Sequence, residues 1–269
     1  MRAGRSRIVE LGAGSRWWVL CRHELRRARR NIASRALYSV LPLGVMVFEM
    51  RAFEFGFFLN GRPEANGSEQ AVPGQTVVFS FILLVFLGYS AYDEFMATTW
   101  SRLEAAGARP AEIVSAKLAV MWAHLLVHFV VLFGIGAIAF GMEIRGSVVA
   151  LGVAIVVSVS MITAYGFCGF ALARNEASFS VWCWIGGIVL TALGGGVTPI
   201  EFLPGWARGV APLSPVYWVL KSTQSIILDG GDLSTEAWRF AVGGLFAVGF
   251  AVVGVVVFDP HDERRLASI

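Results

Sequence analysis

"FEMRAFEF" places Glu49, Arg51 and Glu54 inside a stretch that otherwise reads as lipid-soluble. Arg51 and Glu54, three residues apart, share one face of a helix and can pair. An ionisable group in a membrane span costs several kcal/mol unless it is paired or faces water, which makes the three candidates for a pathway. Two readings fit them: a polar lining of a translocation route, or a kinked or shortened span whose end lies among the outer headgroups. His124 and His128 stand four apart and also share a face. They suit interhelical hydrogen bonding, a proton relay or metal ligation, although a metal needs further ligands and no carboxylate or thiol stands near them on that helix. Cys21, Cys168 and Cys183 have neither zinc nor disulfide spacing and read as apolar packing residues. The only lysines, Lys117 in "AKL" and Lys221 in "LKS", do not follow glycine. A phosphate-cradling loop is therefore absent, and the chain does not bind ATP by that route. No nucleophile, base and metal converge, so no enzyme chemistry is expected and the metal assignment is none.

The elements that must position these residues are membrane helices. Of 269 residues, 56% are hydrophobic and 15% charged, with a mean hydropathy of +0.66, against about 25% charged in soluble domains. Several apolar stretches reach the roughly 20 residues that cross a bilayer. The chain reads as an all-α membrane protein with six spans, near Ala36 to Leu59, Thr76 to Tyr92, Leu118 to Phe140, Val148 to Ala173, Phe179 to Thr198 and Trp238 to Phe258. Three segments follow: a tail and amphipathic helix over 1–35, a six-span membrane body over 36–258, and a tail over 259–269.

Ten arginines precede Ala36. Arg102, Arg109, Lys117, Arg174, Arg264 and Arg265 fall on the same side, while Arg62, Arg145, Arg208, Lys221 and Arg239 fall opposite. This bias places both termini in the cytoplasm and explains the pI near 9.0 without nucleic acid. "RWWVLCRHELRRARRN" has a basic and an aromatic face, the composition of a helix lying in the headgroup layer; a solvated basic tail is the plainer alternative. Between the second and third spans, Asp93 to Ala106 lacks helix breakers, and "GARP" offers Gly107 as a C-cap and Pro110 as the next start.

Two tracts carry a resemblance. "YDEFMATTWSRLEAAGARPAEIVSAKL" follows Pro73 and Gly74 and contains Glu94, Ala97 and Thr98, Arg102 and Leu103, Pro110, then Lys117 and Leu118. "GGGVTPIEFLPGW" and "LSPVYWVLKSTQSIILDGGDL" supply Gly195, Gly196, Pro199, Leu203, Pro204 and Trp206, then Pro215, Tyr217 and Gly230. In this order, and over almost the whole chain, they resemble the permeases of type-2 ATP-binding-cassette transporters, the class that exports drugs, lipids and polysaccharides.

The resemblance implies roles. A cytoplasmic coupling helix between spans 2 and 3 would seat in a separate P-loop ATPase subunit, with Glu94, Arg102 and Glu104 making polar contacts and Phe95, Trp100 and Leu103 filling its groove. Trp17, Trp18, Arg22 and Arg26 would belong to a connecting helix that braces this contact. Re-entrant helices between spans 5 and 6, with Gly195, Gly196, Pro199, Glu201, Pro204, Trp206, Pro215 and Tyr217, would form the outer gate. Lipid cannot satisfy a broken backbone, so such a break must face protein or water. The chain itself would carry no cofactor, ATP and Mg being bound by the partner. It would work as a homodimer or beside a paralogue, in a bacterial-type cytoplasmic membrane. An ion-coupled secondary transporter or channel using Glu49, Arg51, Glu54 and the histidines is the alternative. Such proteins usually show internal repeats and midplane breaks, and neither is evident.

Overall fold

The computed structural model describes residues 13–30, 32–96 and 99–259. Expectations that fall on Ala97 and Thr98, on the tail before Ala13 and on Arg264 and Arg265 lie outside the described residues. So do the side chains of Glu94 and Phe95. The described chain is helical and contains no strand.

α1 (Ala13–Arg30) leads to α2 (Ile32–Leu59), and a loop leads to α3 (Ser68–Met96). The short α4 (Thr99–Ala105) precedes α5 (Pro110–Ala139) and α6 (Val148–Leu172). α7 (Glu176–Val181), a π-turn at Trp182–Gly186 and α8 (Gly187–Leu193) run on as a single rod. A short turn at Ile200–Phe202, α9 (Gly205–Val210), a second turn at Ala211–Leu213 and α10 (Pro215–Asp229) then lead to α11 (Leu233–Val257).

Five of the six expected spans are long and apolar enough to cross a bilayer: those in α3, α5, α6, the α7–α8 rod and α11. α2 has the length, at 28 residues, and carries Glu49, Arg51 and Glu54 in its second half. Several edges differ from expectation. The second span begins at Ser68 because Asn66 Oδ1 accepts from the Ser68 backbone N–H at 2.9 Å and caps a turn that "SEQAVPGQ" lacks the apolarity to announce. The last span begins at Leu233 because Asp232 Oδ1 accepts from the backbone N–H groups of Ser234 and Thr235, both at 2.9 Å.

α3 is the central helix. Its apolar side chains are buried around most of its circumference, as suits a helix enclosed by others, with Phe81, Leu84 and Val72 fully covered. α2, α5, α6, α8 and α10 all pack on it. α11 lies along α6, where Gly243 and Gly254 bring the backbone close to Val157 and Phe167. Small residues at such crossings let spans approach without a hydrophobic driving force. The π-turn has a local cause. Tyr165 donates its hydroxyl to the Trp182 carbonyl at 2.7 Å and accepts the Trp182 indole N–H at its own carbonyl at 3.2 Å. The two rings stack at 5.0 Å, and a side chain inserted into the backbone ladder widens a helix in this way.

Candidate functional site

At one end of the bundle, the end expected to be cytoplasmic, α4 is a short helix between α3 and α5. It stops where expected: Gly107 takes φ +90°, a left-handed conformation that glycine adopts without strain, and Pro110 opens α5. The Arg109 backbone N–H donates to Glu112 Oε2 at 3.0 Å, which secures the start of α5. Arg102 is exposed, and Leu103 and Glu104 are half-buried.

Trp100 points the other way. It is only 4% exposed, in a cluster with Leu20, Cys21, Ile113 and Ala116, and its ring lies 6.3 Å from Phe258. The role expected for it, filling a groove on another protein, gives way to that of an internal anchor. A seven-residue helix is too short to hold itself together in water, so one large side chain must be spent on fixing it to the bundle. From Phe258 an aromatic chain continues through Phe170 to Tyr92 and Phe179, with centroid spacings of 6.2, 4.9 and 6.2 Å. A row of ring contacts therefore joins α4 to α3, α6, α7 and the end of α11.

α1 braces this short helix. Arg16 pairs with Glu112 at 3.3 Å, Lys117 with Glu24 at 2.7 Å, and the Trp17 indole donates to Ser115 Oγ at 3.1 Å. Both ion pairs are largely shielded, with side chains at most 17% exposed, where losing one partner costs more than at an open surface. Trp18, Arg22 and Arg26 remain exposed. Cys21 sits beneath this brace, and burial, followed by the nearby Glu24 carboxylate, pushes its thiol pKa up. Reaction requires the thiolate. Cys21 should therefore label far more slowly than an exposed cysteine with a water-soluble maleimide at neutral pH, and Glu24→Gln with Lys117→Gln, which loosens α1, should accelerate it; timed mass spectrometry of the intact chain reads both.

At the opposite end the glycines of the break after α8, Gly194, Gly195 and Gly196, are buried in protein. Gln70 Nε2 donates to the Gly195 carbonyl at 2.8 Å, Gln224 donates to the Gln70 side-chain oxygen, and the Gly196 N–H donates to the Thr191 carbonyl at 2.8 Å. Ser214 donates to the Leu190 carbonyl at 2.7 Å and caps α10. The backbone of Gly195 and Gly196 thus finds partners on α3 and α8, as lipid would demand of a break. Pro199, Pro215 and Val216 are buried, while Glu201, Pro204 and Trp206 are exposed and Tyr217 is intermediate. Trp206, 71% exposed, suits an interfacial anchor. Lys221 faces Glu201 at 3.6 Å and Arg62 faces Asp229 at 2.8 Å, around a cavity of about 220 Å3 that Asn60 and Gln224 also line.

Glu49, Arg51 and Glu54 stand on the C-terminal half of an unbroken α2. Glu49 accepts from Gln75 Nε2 at 2.6 Å; Arg51 and Glu54 pair at 3.3 Å with side chains 89% and 45% exposed. Leu59, the last residue of α2, is eight positions beyond Arg51, about 12 Å at 1.5 Å per residue, so the pair lies well inside the helix end. The histidines do not form a site together. His124 Nδ1 lies 2.8 Å from the Val120 carbonyl of its own helix, while His128 is buried. Among the described residues, no group of three or more His, Cys, Asp or Glu is placed to hold a metal.

Sequence reasoning missed Gln70, Gln75 and Gln224. Their signal was the amide itself, three uncharged polar groups in or beside expected spans that must find partners once buried. Phe258 was missed as a relay because nothing in a terminal aromatic announces its neighbours.

A family model described as ABC-2 type transporter matches residues 16–228, from α1 to the last turn of α10. No individual curated protein matches the chain.

Proposed function

Because the chain belongs to the ABC-2 type transporter family and is therefore a membrane permease component of an ABC-type transporter, we propose that it exports an amphipathic or hydrophobic cargo, a drug, lipid or glycan. The energy comes from a separate P-loop ATPase subunit that binds ATP and Mg. The observation that supports this most is the split character of α4, anchored inward by Trp100 and presenting Arg102 outward. Closure of paired ATPases displaces such a knob, and the packed spans move with it as rigid bodies. Arg102, Leu103 and Glu104 make the partner contact, joined by Glu94 and Phe95, and α1 holds the knob in place.

A second copy of the chain, or a paralogue, completes the pathway. The outward face of α2 favours this, because Phe48, Phe55 and Phe58 are 85%, 64% and 62% exposed and the Arg51–Glu54 pair emerges among them. An ion pair so placed calls for water or protein beside it rather than hydrocarbon. The segment from Gly195 to Tyr217 forms the outer gate, and both termini lie in the cytoplasm of a bacterial-type cell.

Arg102→Glu tests the coupling assignment. The variant should insert and fold normally yet lose ATP-driven export by an order of magnitude or more, because a like-charge juxtaposition costs several kcal/mol; full export would remove α4 from the contact. Orientation is tested by single cysteines at Glu201 and Gly205, both exposed. They should react with an impermeant maleimide in intact cells, whereas labelling only after permeabilisation would invert the topology.

A further inference from the structure

α1 and α5 meet across an apolar groove of about 630 Å3, lined by Trp17, Trp18, Leu25, Ala119, Val120 and Ala123 among others. It is open because Ala119 and Ala123, one turn apart, offer only methyl groups to a wall that carries two indoles. Its size falls in the range of small-ligand pockets, about 300–1,000 Å3. Two stripes of α1 border it. Trp17, Cys21 and Leu25 follow one another at every fourth residue, and Trp18, Arg22 and Arg26 repeat the spacing beside them, so each set shares a face.

The two stripes differ in chemistry. The first runs along the groove. The second carries a 69% exposed indole and two exposed guanidinium groups. Arg16 and Lys117 have carboxylate partners, whereas Arg22 and Arg26 take none among the described residues. A guanidinium can bind a phosphate through two parallel N–H groups. α5 is apolar enough to span the bilayer, and α1 is amphipathic, so the groove opens at the depth where acyl chains end and headgroups begin.

We propose that this groove is a binding site for one anionic phospholipid of the leaflet in which α1 lies. An acyl chain occupies the slot against Ala119 and Ala123, and the phosphate is held by Arg22 and Arg26. The lipid then forms part of the wall that fixes α1 against α5. The proposal rests on the membrane setting and not on the ATPase partnership, so the two stand or fall separately.

The test uses the full chain alone, reconstituted into phosphatidylcholine vesicles doped with either dibrominated phosphatidylglycerol or dibrominated phosphatidylcholine at equal mole fraction. Bromine quenches nearby indoles, and the Trp18→Phe variant isolates the Trp18 signal from the nine tryptophans. Trp18 should show an apparent preference of about fivefold or more for the anionic lipid, the scale of one surface guanidinium acting on an anionic headgroup. Arg22→Gln with Arg26→Gln should erase the preference, Arg22→Lys with Arg26→Lys should retain part of it and so exclude misfolding, and Ala123→Leu should weaken quenching by both lipids. Excess inorganic phosphate, which has no chain, should leave the quenching unchanged. Equal quenching by the two lipids in the unaltered chain, a preference that survives the double glutamine change, or release by phosphate alone would overturn the site.

Discussion

Trp100→Ala is expected to detach the knob from the bundle and abolish export. The side chain is almost fully buried among Leu20, Cys21, Ile113 and Ala116 and against Phe258. Truncating a buried tryptophan to alanine costs about 3–5 kcal/mol, a large share of a typical stability of about 5–15 kcal/mol. The loss falls on a cluster that joins α1, α4 and α5, so local detachment precedes global unfolding. Thermal melts of the purified protein should show a lowered transition, and ATP-driven export should be lost. Arg102→Ala serves as the contrast, because it removes an exposed side chain and should leave the melting transition within the small range of surface substitutions, about 0.5 kcal/mol. Trp100→Phe keeps a ring facing Phe258 and should retain much of the function. A Trp100→Ala protein with a normal melt and full export would show that α4 is held by something other than this anchor.

Gly74→Val should unseat the proposed outer gate. A Cβ at Gly74 would lie 2.1 Å from the Gly196 carbonyl oxygen, well inside any tolerable contact, and both sides of the crossing are backbone, so neither rotates away. α3 and the Gly195–Gly196 stretch must separate, and the Gln70 bond to the Gly195 carbonyl lengthens with them. Overpacking of this kind costs about 1–3 kcal/mol, and the freed polar groups of the gate, about 1–3 kcal/mol each when left buried and unmatched, add to it. The expected phenotype is a leak. Vesicles carrying the variant should release a small trapped dye without ATP, while the unaltered chain holds it. Gln70→Leu removes the same tie without a steric clash and should leak less. Tight vesicles with Gly74→Val would mean that the gate does not depend on this crossing.

How far the sequence reached can be traced residue by residue. Gly107 and Pro110 marked the end of α4 and the start of α5 because both act through their own backbone, one by its left-handed φ and the other by its missing N–H. The five apolar spans were legible for a similar reason, since length and hydropathy are properties of a segment by itself. Pro73 and Gly74 were legible as a motif but not in meaning. They lie inside α3 rather than before it, and only the neighbouring Gly196 carbonyl explains why a side chain is unwelcome at position 74. Trp100 shows the limit most clearly. An aromatic on a short surface helix suits an inward anchor and an outward contact equally well, and the choice depends on Phe258, more than 150 residues away. The pairing of Glu49 with Gln75 belongs to the same class, being a long-range hydrogen bond that no local pattern encodes.

The central claim is that this permease is moved by a separate ATPase through α4. It is tested most directly by purifying the tagged chain from its native membranes and assaying the complex for ATP hydrolysis, beside a variant in which Thr99–Ala105 is replaced by a flexible linker. The account predicts that a P-loop ATPase accompanies the unaltered chain in stoichiometric amount and hydrolyses ATP, and that the replacement releases it while the spans remain inserted. A chain that arrives without an ATPase and exchanges ions across vesicles on its own would contradict the account and make Glu49, Arg51 and Glu54 the residues to mutate next.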